Sequence, residues 1–246
     1  MSDEWNSYLC RVDDEPASIF LDLGIRQSAP VPGFSEAAYL RVWMNNPRPD
    51  GLSSQEEFEA LVAIEHALEA EVERDGVTIY VGRNTSSGRR DFFFYTKDGE
   101  AFRASASAAM SKFGEYKAEI GLRPDEKWDV YFNFLYPNDN QKQVMGNRDV
   151  VEALRREGDD GQKTRLIDHL ILLGGRQQAD AVAQTVAGLG FRLKPGMPSE
   201  RPTGEWRVEF DKVDAPVAID ETTITLSELA RKYGGKYDGW GCEVSR

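Results

Sequence analysis

Arg90-Asp91-Phe92-Phe93-Phe94-Tyr95 sets four aromatic side chains in succession in a short run that reads as a strand. Successive side chains of a strand point to opposite faces, so Phe92 and Phe94 share one face and Phe93 and Tyr95 the other. A sheet wetted on one side alternates apolar and polar residues. This run does not alternate, and both faces of its sheet are expected to be covered. Trp128 to Leu135 reads the same way, as a strand with Trp128, Val130, Phe132 and Phe134 on one face and Tyr131 and Leu135 behind. The domain's own helices cover one face. The candidate covers for the other are an N-terminal hairpin, the second half of the chain, or a second copy of the chain in a homodimer. Burying four aromatics is worth several kcal/mol at about 25 cal/mol per Å², so the cover is expected to be permanent.

Outward from this strand the remaining elements fall into order. Trp5–Val12 and Ser18–Leu23 form a hairpin about Asp13-Asp14-Glu15, and Tyr39–Trp43 and Val77–Val81 are strands. Ser54 and Glu57 have the spacing of a capping box, followed by Phe58, Leu61, Ile64, Leu68 and Val72 on one helical stripe. A helix from about Glu100 to Phe113 and a strand from Tyr116 to Gly121 follow. The polar stretches Pro137–Asn140 and Gly146-Asn147 mark a boundary, giving domains at 1–140 and 146–246. Beyond it come a short helix at Asp149–Glu157, a flexible turn at Gly158–Gly161, a strand at Asp168–Leu173 and a helix bearing Ala179, Val182, Val186 and Leu189. Strands at Phe191–Leu193 and Trp206–Phe210, a helix with Ile219, Leu226, Ala230 and Tyr233 inward, and a last strand at Lys236–Val244 complete the chain. Read from Tyr39, the first half is β-α-β-β-α-β with one further strand, and the second half is again β-α-β-β-α-β. The expected fold class is α+β, two ferredoxin-like antiparallel sandwiches in tandem, the first with an extra N-terminal hairpin.

Composition narrows the function. Residues 1–140 hold 25 Asp and Glu against 14 Lys and Arg, so most of the net charge of −12 belongs to the first half. An acidic surface disfavours phosphate backbones and anionic membranes, so no direct nucleic-acid or membrane partner is expected, although the aromatic third strand has the placement of a base-stacking sheet. The acidic start Met1-Ser2-Asp3-Glu4-Trp5 is unlike a signal peptide, and no apolar run is long enough to span a membrane, which points to the cytoplasm. Cys10 and Cys242 lie at opposite ends of the chain and read as free thiols. Two His and two Cys make a zinc site improbable, and no cofactor is expected.

No phosphate loop, nucleophile elbow or HExxH helix is present, and the catalytic set is read as empty. Leu173-Gly174-Gly175-Arg176 is a tight turn between strand and helix. His169 reads as a satisfied structural or interface histidine and not a base, His66 as solvated, and Cys242 as a buried thiol. In Tyr237-Asp238-Gly239-Trp240-Gly241, alternation sets Tyr237, Gly239 and Gly241 on one face and Asp238 and Trp240 on the other. A strand bare of side chains marks a bulge or a close approach, so this ribbon reads as a docking surface or a packing device. The rival reading is an enzyme or small-ligand binder that uses Asp168, His169 and Asp238 at a site between the halves.

Ile167-Asp168-His169-Leu170, Leu189-Gly190-Phe191 and Tyr237-Asp238-Gly239-Trp240-Gly241 make the second half resemble the B-type regulators of ribonuclease E activity. That resemblance implies a ferredoxin-like domain that acts by binding a protein partner, ribonuclease E or another RNA-decay enzyme, without catalysis. Its interaction residues would be Asp168, His169, Tyr237, Asp238, Gly239, Trp240 and Gly241. The family's stand-alone inhibitors are strongly acidic, whereas this half is nearly neutral. The first half is similar to the bacterial domain of unknown function 695, through Tyr39-Leu40-Arg41-Val42 and Trp128-Asp129-Val130-Tyr131-Phe132. That likeness implies no activity.

Overall fold

The computed structural model describes residue 2 and residues 4–245; Met1 and Asp3 of the acidic start, and Arg246, lie outside the described residues. The chain divides into two compact units, Met1–Pro137 and Asn138–Arg246, each a mixture of helices and antiparallel sheet. Among the described residues no helix is long and apolar enough to cross a membrane.

In the first unit, β1 (Trp5–Val12) and β2 (Glu15–Asp22) form a hairpin whose turn residues Asp13 and Asp14 both have positive φ, as a type I′ turn needs. Then follow β3 (Glu36–Trp43), α1 (Gln55–Asp75), β4 (Thr78–Ser86), β5 (Arg89–Thr96), α2 (Gly99–Met110) and β6 (Ala118–Pro124). The sheet order is β1-β2-β4-β5-β3-β6, so the hairpin extends the sheet at one edge. Leu40, Val42, Tyr80, Phe92 and Phe94 face Leu61, Ile64, Leu68, Val72, Phe102 and Ala106 of the two helices in one core. Ser54 accepts from the Glu57 N–H as an N-cap should, but the reciprocal half of the expected capping box is missing. The Glu57 carboxylate is buried and accepts instead from the Asn46 N–H (2.6 Å) and the Tyr116 hydroxyl (3.0 Å). Phe58, expected on the buried stripe, is 47% exposed.

The strand expected at Trp128–Leu135 is absent; Val130–Leu135 is a π-helical turn, entered through Trp128 in left-handed backbone (φ 59°). Asp125 is the cause. Its carboxylate accepts from the N–H groups of Asp129 (2.8 Å) and Val130 (2.9 Å), satisfying the free donors that open a helical turn. The Tyr95 hydroxyl donates to the same carboxylate (2.6 Å), and the Trp128 ring stacks on Tyr95 at 3.9 Å with 5° between planes. Phe93 meets Phe134 edge-on at 5.6 Å. The second face of the sheet is thus covered in part by the segment expected to belong to the sheet. Tyr8 and Tyr131 tie the turn down, donating to the carbonyls of Leu135 (2.8 Å) and Asp22 (2.7 Å).

In the second unit, α3 (Asp139–Arg156) is far longer than expected, because Asn138 and Gln141 form a capping box at its start. The polar break at Pro137–Asn140 is therefore a helix N-terminus, and Gly146-Asn147 lies inside the helix. Asp159 in the expected flexible turn is buried, paired with Arg165 at 2.7 Å. Next come β7 (Arg165–Leu173), α4 (Arg176–Gly188), β8 (Arg192–Leu193), β9 (Ser199–Glu200), β10 (Trp206–Asp214), α5 (Asp220–Lys232) and β11 (Lys236–Gly241). The order is β11-β7-β10-β8, with β9 also on β10. Ile171, Val208, Phe210 and Tyr237 pack with Ala179, Val182, Val186, Leu226 and Ala230. Leu189, expected on the α4 stripe, is 47% exposed.

Trp128→Ala removes the ring that stacks on Tyr95. It is expected to destabilise the first unit by about 3–5 kcal/mol in urea unfolding followed by near-UV circular dichroism. A loss under about 1 kcal/mol would show that the turn is not part of the core.

Candidate functional site

The register of β11 on β7 builds the site. Tyr237 lies opposite Ile171, Gly239 opposite Leu170, Trp240 opposite His169 and Gly241 opposite Asp168, with a bulge between Tyr237 and Gly239. The extra residue, Asp238, shifts the parity that strict alternation assigns. Tyr237 therefore shares the helix face with Trp240, and the expected grouping of Tyr237 with the two glycines is corrected. Gly239 adopts φ 117°, which a side chain would strain, and a Cβ there or at Gly241 would meet nothing within 4 Å. The glycines thus face open space and not a closely packed neighbour.

Alternation along β7 also separates the residues named from the sequence. His169 is buried on the helix face, whereas Asp168 is exposed on the other. His169 Nδ1 is 2.8 Å from the Tyr237 hydroxyl, and its ring lies among Phe191, Phe210 and Tyr237. Burial pushes its pKa down to about 4, so the ring is neutral at physiological pH. Asp238 accepts from Lys236 at 3.2 Å. Asp168, His169 and Asp238 do not converge as a catalytic set requires, and Cys242, half-buried and not fully buried, accepts from Arg165 Nε at 3.3 Å. Among the described residues, no group of three His, Cys, Asp or Glu is placed to hold a metal.

What the register gathers instead is a surface. On the face away from α4 and α5, Asp168 lies opposite Asp211 and Gly241, Leu170 opposite Glu209 and Gly239, and Leu172 opposite Arg207. Lys194 bridges Asp168 (2.5 Å) and Asp211 (3.0 Å), and Arg192 holds Asp211 through two bonds of 3.0 and 2.9 Å. The Arg192 guanidinium keeps the Asp211 carboxyl below its ordinary range, and Asp168, with Asp211, raises the Lys194 pKa. A hollow of about 280 Å³ opens between Asp168, Leu170, Lys194, Glu209, Gly239 and Gly241. Leu166 and Val213 on the same face are 47% and 61% exposed.

Sequence reading did not find Lys194, Glu209 or Asp211. Extending the alternation of Trp206–Phe210 by one residue would have placed Asp211 beside Glu209. It also missed Asn147, buried in α3, whose Oδ1 accepts from Trp240 Nε1 (2.9 Å) and whose amide donates to Asp220 and Thr223 (2.7 Å each). This amide fixes the terminal ribbon to α3.

Comparison with known proteins divides the chain at the same place. Residues 3–136 match the family of unknown function DUF695, and residues 145–242 match the family described as regulator of ribonuclease activity B. Curated proteins of the latter name are similar to the second half. That of Shewanella denitrificans is 28% identical over 41% of this chain and 81% of its own. That of Xenorhabdus nematophila is 27% identical over 43% and 77%, and that of Proteus mirabilis 31% over 37% and 67%. A crystal structure of an unknown protein from Galdieria sulphuraria spans 83% of this chain and 96% of its own at 10% identity. Its TM-score of 0.23 supports no statement of common fold.

The lowered pKa of His169 has a thermodynamic consequence. Between pH 6.5 and about 4 the unfolded imidazole binds a proton that the folded one refuses, so stability is full above pH 6.5 and falls as pH drops through this window. The loss should reach about 1–3 kcal/mol by pH 4.5. Urea unfolding of the second unit at stepped pH measures it, with His169→Phe as the control that flattens the slope. An NMR titration placing the imidazole pKa near 6.5 would refute it.

Proposed function

Because the chain belongs to the family of unknown function DUF695 through its first half and carries a regulator of ribonuclease activity B domain in its second, we propose that it regulates an RNA-degrading endonuclease such as ribonuclease E by binding it, without catalysis of its own. The observation that carries this reading is the open face of β7, β10 and β11. Among the described residues α4 and α5 pack on the opposite face, and Gly239 and Gly241 strip the edge strand of side chains where a partner would lie. Exposed Leu166 and Val213 offer apolar contact, and the Asp168–Lys194–Asp211–Arg192 ion pairs offer polar contact beside it. Asp168, Gly239 and Gly241 act on the face itself. His169, Tyr237, Asp238 and Trp240 act from behind, as the core contact, bulge and anchor that hold the ribbon in place.

The same reading treats each unit as a ferredoxin-like domain. The orders β4-β5-β3-β6 and β11-β7-β10-β8, with helices after the first and third strands of each set, support it. The protein works in the cytoplasm, where such a nuclease would be met.

The test is direct. Purified chain is titrated into ribonuclease E, and both complex formation and RNA cleavage are followed. Cleavage is expected to fall with added chain, and Leu170→Arg or Gly241→Arg to weaken the complex by about tenfold or more. Absence of a complex, with cleavage unchanged at high chain concentration, would end the nuclease assignment.

A further inference from the structure

On the second face of the first unit's sheet, the π-helical turn covers only part of the surface. Where it stops, a groove of about 190 Å³ opens between the turn and β3, with Tyr39, Arg41, Phe93, Arg123, Val130 and Phe134 around it. At about 30 Å³ per water this is room for roughly six waters, or for one ring bearing a small substituent. Its walls are apolar: Phe93 and Phe134 meet edge-on and are half-buried, and Val130 closes the end. The Tyr39 ring can lie across β6 only because residue 121 is glycine, since a Cβ there would fall 2.2 Å from the ring.

The charges at the rim are not equivalent. Arg41 is spoken for: Asp91 accepts two bonds from it at 2.8 and 2.9 Å. Glu119 is engaged as well, accepting from the Tyr39 hydroxyl at 2.9 Å. Arg123 is different. No carboxylate among the described residues comes within ion-pair distance of it, although residues 1–140 carry an excess of 11 acidic groups. Among the described residues other cations of this half also lack an ion pair, but Arg123 stands at the mouth of an aromatic groove, where it matches an anion on an apolar body.

We propose that this groove binds a small carboxylic acid carried on an aromatic or branched aliphatic group, with the body against Phe93, Phe134 and Tyr39 and the carboxylate on Arg123. A planar guanidinium matches a carboxylate through two parallel bonds. One free cation against the surrounding negative charge favours a monoanion over a phosphate dianion. No Asp or Glu is among the described residues that line the groove itself, so an amine inside it meets no acid. The inference is independent of the nuclease reading, which concerns the other unit.

Protein-observed NMR titration of the full chain tests it, with benzoate, its neutral counterpart benzamide, and phenyl phosphate as probes. Benzoate is expected to saturate with shifts at Phe93, Phe134 and Arg123, and benzamide to bind about fivefold or more weakly. Added salt should weaken benzoate and leave benzamide unchanged. Arg123→Gln, an exposed substitution whose melting curve checks folding, should bring benzoate down to the benzamide level, and Arg123→Lys should restore part of the difference. Equal binding of benzoate and benzamide, no effect of Arg123→Gln, or no saturable shift from benzoate would overturn the proposal. So would a preference for phenyl phosphate.

Discussion

A sheet has two faces, and the helices that cross over within each of these units cover only one. Everything distinctive in this protein follows from how the other face is treated. In the first unit Asp125 bends the chain into a π-helical turn and delivers Trp128 and Tyr131, both fully buried, onto that face. In the second unit α4 and α5 pack on the face of Ile171, Val208, Phe210 and Tyr237, and the opposite face is the one that carries Asp168, Leu170 and Leu172. The exposed face is made tolerable to water by ion pairs around Asp211 and by glycine where side chains would otherwise stand.

The two solutions have different chemistry. Around Asp125 the polar groups are few and fully used: two backbone donors and one phenol satisfy a buried carboxylate, which would otherwise be costly to desolvate. The cover is partial, and its border leaves half-buried aromatics beside an unpaired guanidinium. On the second unit's face the charges are paired and, apart from buried Asp211, accessible, and the apolar residues are scattered between them. One face therefore ends in a small groove and the other in a broad surface. Ligands of different size suit them.

Much of this was legible in the sequence. The β5 aromatics, most of the helix stripes and the alternation of strands and helices follow from period and turn chemistry, and covering of both faces of the first sheet was inferred from Phe92–Tyr95 together with Trp128–Leu135. The cover itself was not found, because Trp128–Leu135 satisfies a strand by composition. Its buried residues Trp128, Tyr131 and Leu135 in fact recur at three and four, the helical interval. The second failure lay in Asn138, where a capping residue was read as a linker. The third was parity. The glycines of β11 signal a bulge or a close approach without saying where, and only the bulge placed at Asp238 decides which neighbours share their face. The ion pairs of Lys194 and Arg192 with Asp211 join residues far apart in sequence and needed the register to be seen.

The contrast between the two faces also bears on how long a partner would stay. The first unit shows what a permanent cover looks like in this chain: stacked and edge-on aromatic rings, with Trp128, Tyr131 and Leu135 fully withdrawn from water. Obligate interfaces resemble such cores. The face of β7, β10 and β11 has no such residues. Its large apolar groups are Leu166, Leu170, Leu172 and Val213, and they stand among Asp168, Lys194, Arg207 and Glu209, whose charges a dry interface would have to desolvate. Because these charges already neutralise one another, the face can be left without a partner at little cost, and a partner gains area there without breaking an ion pair. That balance suits a complex that forms and dissolves, as the proposed regulation of a nuclease would require.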